Sequence, residues 1–366
     1  MKGRLVSLDA FRGITIAGMI LVNNPGSWSY MYPPLRHAEW HGWTPTDLIF
    51  PFFLFIVGVS MTFSLEKQLA HHDRRYVYGK IFRRTLTILL LGWFLSLFPF
   101  FHFAKLRIPG VLPRIAVVYC IASIVTLNTS IKGQAWSGAA LLLIYWALMK
   151  LVPVPGHGAG DLSVEGNLAA FIDNKLMHGH LWRKTWDPEG LLSTLPAVAT
   201  TLSGVLTGHW LHSKKTKEEI AGWMFVIGWM AILVGLFWGI VFPINKSLWT
   251  SSYVVFTSGA ALQFLGFCYW LIEVKGIKKW AKPAIIYGMN SIAVFVLSTL
   301  AAKIMIYTKI TLSDGQKISV WGWAYKNLFL SWADPINASL AFAVTNVLFW
   351  LGIMAILYQK RIFIKI

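Results

Sequence analysis

Residues 46–65 read Thr-Asp-Leu-Ile-Phe-Pro-Phe-Phe-Leu-Phe-Ile-Val-Gly-Val-Ser-Met-Thr-Phe-Ser-Leu, twenty residues whose single charge is Asp47. A helix crossing the hydrocarbon of a bilayer needs about 20 mostly apolar residues, so this stretch is predicted to span a membrane. Nine further stretches read the same way, which gives ten candidate spans: 8–24, 46–65, 82–101, 111–128, 136–152, 190–210, 220–242, 250–272, 284–302 and 334–358. Composition agrees. Apolar residues make up 56%, charged residues 13%, and the mean hydropathy is +0.58. Soluble domains carry about a quarter charged residues. Long continuous apolar runs also differ from the alternating segments of about ten residues in a membrane β-barrel. The expected fold is an all-α, polytopic integral membrane protein of about ten transmembrane helices. One transmembrane domain over 1–366 leaves no room for a separate soluble one.

Residues 8–24 follow Lys2 and Arg4, as a signal peptide would. The apolar run is too long, however, and Asn23, Asn24 and Pro25 offer no small-residue cleavage site, so a retained first helix is expected. Cys120 and Cys268 lie alone in apolar segments without metal or disulfide spacing and read as packing residues.

A net charge of +18 suits nucleic acid only if it is concentrated where nucleic acid binds. With an inward N-terminus, 19 Lys and Arg fall on the inner side, 12 on the outer side, and Arg12 and Arg114 within spans. This follows the positive-inside rule, which sets orientation by Lys and Arg in short loops. Both termini are then expected in the cytoplasm, with no nucleic-acid partner and a bacterial inner membrane as the location. Three outer segments, 24–45, 153–189 and 303–333, are long enough to build a site. Gly204 with Gly208, and Gly235 with Gly239, are small-xxx-small pairs that suit close helix packing within the chain or a homodimer interface.

Ionisable groups at the rim of a bilayer are costly, which makes the segment from Asn23 to Asp47 the first candidate for chemistry. It holds His37 and His41. An imidazole ordinarily titrates near 6.5 and can accept a proton at neutral pH. Either histidine could also be an ordinary solvated loop residue. Asn23 and Asn24 end a helix and could cap it, or donate to a developing oxyanion. Asp47 suits the first turn of the second span, as a cap at the positive end of the helix dipole or as the residue that orients the histidine loop. Asp187 and Glu189 open the sixth span and could cap it or hold a hydroxylated or cationic substrate. Asp9 and Arg12, three apart on one helix face, suit an ion pair, or an Arg12 that helps hold an anionic cofactor. Lys80, Arg83 and Arg84 form an inner patch for anionic lipid or for cofactor phosphates. No glycine-rich phosphate loop, dinucleotide fingerprint or metal-spaced Cys/His set is present in the sequence.

Several blocks, in order along nearly the whole chain, resemble one family. They are Leu8-Asp9-Ala10-Phe11-Arg12-Gly13, Val22-Asn23, His37-Ala38-Glu39-Trp40-His41-Gly42-Trp43-Thr44 with Asp47-Leu48-Ile49-Phe50-Pro51, Arg107-Ile108-Pro109-Gly110-Val111-Leu112, Asp187-Pro188-Glu189-Gly190, Asn245-Lys246-Ser247-Leu248-Trp249 and Gly288-Met289-Asn290-Ser291. The resemblance is to the heparan-alpha-glucosaminide N-acetyltransferase family, the transmembrane acetyltransferases that include bacterial NagX-type proteins. It implies acetyl transfer from cytoplasmic acetyl-CoA, through the membrane, to the amine of a glucosamine-type sugar, without a metal. The family's active-site histidine falls on His37, as a base or as the carrier of a covalent acetyl group, and its partner asparagine on Asn23. The lysosomal enzyme has Asn where this chain has His41, so His41 is expected to be dispensable. By the same resemblance Asp47, Asp187, Glu189, Asn245 and Asn290 are expected on the sugar side, and Arg12, Lys80, Arg83 and Arg84 on the donor side. An amino-sugar permease and an O-acetyltransferase of envelope glycans are the rival readings.

Overall fold

The computed structural model describes residues 5–312 and 315–364; Lys2, Arg4 and Lys365 of the basic set lie outside the described residues. In chain order the α-helices are α1 Val6–Asn23, α2 Ile49–Leu69, α3 Arg74–Leu97, α4 Val111–Asn128, α5 Ile131–Leu151, α6 Leu168–Met177, α7 Thr194–Leu211, α8 Lys217–Val241, α9 Ser251–Tyr269, α10 Lys282–Met289, α11 Ser291–Tyr307, α12 Val320–Ala324 and α13 Pro335–Gln359. Strands among the described residues are confined to two antiparallel pairs, Pro153–Val154 with Gly158–Ala159 and Lys309–Thr311 with Lys317–Ser319. The protein is an all-α integral membrane bundle.

A helix stands on each of the ten predicted segments, but its ends and apolar character vary. Among the described residues, α1, α4, α8, α13 and the segments Pro45–Leu69 and Ser251–Val274 are long and apolar enough to cross a membrane. Counting the bent pair Lys279–Met289 and Ser291–Tyr307 as one makes seven. The segment expected at 284–302 is therefore not one rod: it turns by 70° at Asn290. The third helix starts at Arg74, not 82, because the Asp73 carboxylate accepts the Tyr76 N–H and caps it. Its first half carries Arg74, Arg75, Lys80, Arg83 and Arg84, which hide the helix from a reading based on hydropathy. Ser130 likewise caps α5 ahead of the expected start, accepting from Gly133 N–H at 3.2 Å.

Glycines let the helices approach until backbones touch. A Cβ on Gly204 would lie 2.1 Å from the Phe55 carbonyl oxygen, and one on Gly58 would lie 2.0 Å from the Thr201 carbonyl oxygen, so α2 and α7 interlock reciprocally. Gly208 faces Thr62, Gly235 faces Phe256 and Gly239 faces Ile244. All four small-xxx-small glycines are thus occupied by packing within the chain. Gly204→Ala is expected to lower stability by about 1–3 kcal/mol, as overpacking of a tight contact does. A thermal-melt shift in detergent reads this, and an unchanged midpoint would mean that α2 and α7 can separate freely.

The exterior is apolar where lipid should be. On α8, Leu233, Phe237 and Ile240 are exposed, and on α13 so are Leu348 and Phe349. A helix that is apolar all round fits a membrane span rather than a solvated surface. Buried α1 runs through the interior, with Phe11, Ile16 and Ile20 in the core. It packs against α2, α9, α10, α11 and α13. Its far end, Asn23, therefore opens at the centre of the bundle, close to where the chain turns back into α2.

Candidate active site

Between Asn23 and α2 the chain makes a compact loop held by its own side chains. A short 3-10 turn, Pro33–Leu35, precedes His37, and the Arg36 Nε–H donates to the Met31 carbonyl at 2.9 Å. A second turn, Pro45–Leu48, begins with a capping box in which Asp47 Oδ2 accepts from Thr44 N–H at 3.0 Å. The same oxygen accepts from Ala38 N–H at 3.0 Å. The other oxygen, Asp47 Oδ1, lies 2.7 Å from His37 Nδ1. Asp47 is buried, at 1% exposure, and performs both tasks that the sequence left open: one oxygen caps the turn and the other orients the imidazole. This fixes Nδ1 on the carboxylate and leaves Nε2 outside that bond.

A third group completes this cluster from 209 residues away. Lys246 Nζ lies 3.1 Å from His37 Nδ1, 3.2 Å from Nε2 and 3.7 Å from Asp47 Oδ1. Burial pulls the Lys246 ammonium below the usual lysine range, opposed by the negative charges of Asp47 and Glu189. Its turn is held by Asn245, whose Oδ1 accepts from Leu248 N–H at 2.8 Å, and by buried Trp249 in a left-handed conformation at φ 53°. Such backbone positions are uncommon for a bulky residue and persist only where the surroundings enforce them.

His37, Asn23 and Lys246 line one cavity of about 710 Å³, within the size range of small-molecule sites. Trp28, Trp182 and Arg183 stand around its mouth with His37. Below them it descends along α1 past Met19 and Ile16 to Thr15, between Phe50 and Phe53 of α2, Leu112 and Ile115 of α4, and Ile292 and Phe295 of α11. From Asn23 to Thr15 is eight residues of helix, about 12 Å at 1.5 Å per residue. The shaft is apolar along its length and polar at both ends, with Ser291 and Thr15 at the bottom.

Asp187 and Glu189 meet a partner that makes them part of the wall. The Arg107 guanidinium donates to Asp187 through Nε at 2.8 Å and through a terminal nitrogen at 2.7 Å, and that nitrogen also contacts Glu189. Arg107 lies over the Trp182 ring at 4.8 Å. Asp187 further accepts from Trp182 N–H at 2.7 Å and Glu189 N–H at 2.9 Å, so this fork locks the segment carrying Trp182, Arg183 and Glu189. Asp187 is buried behind the wall, whereas Glu189 and Arg107 line the cavity. Nearby on α6, Asp173 accepts from Leu191 N–H at 2.8 Å, and burial pushes its carboxyl up to about 7.

The remaining predicted residues lie elsewhere. Asn245 is fully buried, does not line the cavity, and sets its Nδ2 3.3 Å from His41 Nδ1. His41 also stays outside the cavity lining. Asn290 is at the helix break near the opposite end of α1, not at the mouth. Its amide donates to the Ile362 carbonyl at 3.1 Å and accepts from Ile364 N–H at 2.8 Å, which directs it toward the C-terminal segment instead of a sugar. Arg12 pairs with Asp9 at 3.1 Å and donates to Ser60 Oγ at 2.5 Å, one turn below the cavity floor. Lys80, Arg83 and Arg84 do not reach the cavity, and Arg84 lies over the Tyr119 ring at 4.9 Å. Asn24 turns inward to donate to the Ile20 carbonyl at 2.8 Å, whereas neighbouring Asn23 faces the cavity. No group of three His, Cys, Asp or Glu among the described residues could hold a metal ion.

Sequence reasoning missed Lys246, Arg107 and the aromatic mouth. Lys246 and Arg107 each stand within a block that carries the family resemblance but read there only as outer-loop charges. An outer-loop cation in a chain so poor in carboxylates was the available signal.

The sequence matches the family model described as "Heparan-alpha-glucosaminide N-acetyltransferase, catalytic" over residues 4–236. Among curated proteins it is similar to human heparan-alpha-glucosaminide N-acetyltransferase, 29% identical with 99% of this chain and 60% of that protein covered. It is also similar to the mouse protein of the same name, 31% identical over 80% of this chain and 53% of that protein. The chain thus spans little more than half the length of these relatives. The match over most of its length, with His37, Asp47 and Arg107 inside the matched region, shows that the chain belongs to the heparan-alpha-glucosaminide N-acetyltransferase catalytic family.

Proposed function

We propose that this protein transfers the acetyl group of acetyl-CoA, bound from the cytoplasmic side, to the amine of a glucosamine-type sugar on the other side of the membrane. The observation that carries the reading is the single cavity that joins an Asp47-oriented histidine at its mouth to an apolar shaft. A slender acyl-pantetheine arm fits such a shaft, while a sugar needs the wide aromatic and polar mouth. The family and the human and mouse relatives support N-acetylation of glucosamine as the chemistry.

A thioester is already activated, so the protein has to deliver a neutral amine, align it and stabilise the developing oxyanion. His37 Nε2 takes the amine proton, with Asp47 holding Nδ1 and balancing the imidazolium that forms. The Asn23 carboxamide, at the end of α1 and facing the cavity, donates to the carbonyl oxygen. Trp28 and Trp182 offer flat apolar faces to the sugar ring, with Glu189 and Arg183 beside its hydroxyls. On the donor side, Arg12 beneath the shaft and the α3 residues Lys80, Arg83 and Arg84 attract the CoA phosphates. This arrangement goes with ten spans and both termini in the cytoplasm.

Purified protein in nanodiscs, given acetyl-labelled acetyl-CoA and glucosamine, should form an alkali-stable N-acetyl product. Alkali-labile label would indicate O-acetylation, and no covalent product would overturn acyl transfer. Arg83→Ala/Arg84→Ala should weaken CoA binding more than sugar binding. Single cysteines at positions 29 and 359 should label from opposite faces of sealed vesicles, and labelling from the same face would sink the topology.

A further inference from the structure

We propose that Lys246 is a second proton-transfer group of the site, donating to the sulfur that leaves the thioester and recovering its proton from His37. The inference rests on the acetyl-transfer reading above. Three observations carry it. Lys246 Nζ sits beside the His37 ring, 3.1 Å from Nδ1 and 3.2 Å from Nε2, and Nε2 is the nitrogen that Asp47 leaves open. Its distance to Asp47 Oδ1, 3.7 Å, is longer than a direct hydrogen bond, so its nearest partner is the imidazole and not the carboxylate. It also lines the cavity together with Asn23 and His37, at the place where the shaft meets the mouth.

The proton balance of amide formation requires a group in this place. The amine nitrogen bonds to the carbonyl carbon while the π pair moves onto oxygen, and His37 Nε2 takes one N–H proton. The tetrahedral species then collapses: the carbonyl re-forms, the C–S bond breaks, and sulfur leaves with the bonding pair. That alkanethiolate, whose thiol titrates near the 8.5 of a cysteine, takes a proton from Lys246 Nζ. His37 now carries one proton too many and Lys246 one too few, and transfer across 3.2 Å restores both. The net change is amine plus thioester to amide plus thiol, with no other reactant.

The surroundings suit a lysine acting as an acid. Burial draws its ammonium below the usual lysine range, and an acid is most effective when its pKa lies near the operating pH. The negative charges of Asp47 and Glu189 oppose that shift and favour the ammonium form, while Arg107 and Arg183 are the other cations on the cavity wall and His37 the neighbouring titratable group. The sign for pH follows. A general acid must be protonated, so a lowered lysine pKa brings the alkaline fall of kcat to a lower pH than a free lysine would give.

The test compares two acyl donors: acetyl-CoA, whose thiolate needs a proton, and S-(4-nitrophenyl) thioacetate, whose thiolate leaves without one. Lys246→Gln should lower kcat with acetyl-CoA about 100-fold and change kcat with the aryl donor only a few-fold. Lys246→Arg should fail like Lys246→Gln, because a guanidinium keeps the charge but does not give up its proton. Equal losses with both donors would mean that Lys246 only positions His37, and full activity in Lys246→Arg would mean that charge alone suffices; either overturns the proposal. If the variants do not fold, the wild type decides. Its alkaline limb should be present with acetyl-CoA and missing with the aryl donor, and identical profiles would reject the role. Failure of the wild type to acetylate any amino sugar with either donor would instead reject the acetyl-transfer reading.

Discussion

His37→Ala is expected to reduce acetyl transfer about 100- to 10,000-fold, the usual cost of losing a general base, while the bundle stays folded. The local bonds explain the second half. His37 is half-exposed, and its loss leaves Asp47 still bonded to Thr44 N–H, Ala38 N–H and Thr44 Oγ1, with the Lys246 ammonium 3.7 Å away. The buried carboxylate is therefore not orphaned. His41→Ala should retain activity within a few-fold, because His41 lies outside the cavity and contacts Asn245 and the edge of Trp40. Turnover of both variants, with CoA binding as the control for folding, checks the pair. Near-normal turnover in His37→Ala, or a dead His41→Ala, would reject the assignment.

Arg107→Ala should be the most destabilising single change at the mouth. Its guanidinium is the shared partner of Asp187 and Glu189, both buried. Removing one member of a buried ion cluster leaves uncompensated charge and typically costs about 3–5 kcal/mol. The segment carrying Trp182, Arg183 and Glu189 would loosen with it, so KM for the sugar should rise along with the fall in melting temperature. Arg107→Lys should recover only part of the loss, since one ammonium cannot reproduce the two-nitrogen fork on Asp187. An unchanged melting temperature in Arg107→Ala would show that water replaces the guanidinium at no cost and that the mouth does not depend on it.

Much of the architecture is legible in the linear chain for one reason. Lipid satisfies no backbone hydrogen bond, so a long apolar run has little choice but to be a helix. Residues 334–358 become α13 to within one residue at each end, and 46–65 become α2 to within four. Local chemistry was legible too, because it acts over a few residues: the Asp9–Arg12 pair, and the Asp47 cap at the start of the second span. Where charge sits on a helix, as on the first half of α3, hydropathy alone misplaces the boundary, and the Asp73 cap decides it.

Tertiary structure decided what each polar residue faces. Asn23 and Asn24 are equivalent in the sequence, yet one opens into the cavity and the other bonds back to Ile20. Asn245 and Lys246 are adjacent, and it is the lysine that reaches His37 while the asparagine braces its own turn. In the sequence Asp187 and Glu189 could cap a helix or hold a substrate, and it is Arg107, 80 residues before Asp187, that closes on them. Asn290, in a block that carries the family resemblance, binds the C-terminal segment at the point where the helix breaks by 70°. Periodicity and capping act within one or two helical turns, whereas the partner of a polar side chain depends on which helices meet. In this bundle that is set by close backbone contacts such as Gly58 against Thr201 and Gly204 against Phe55.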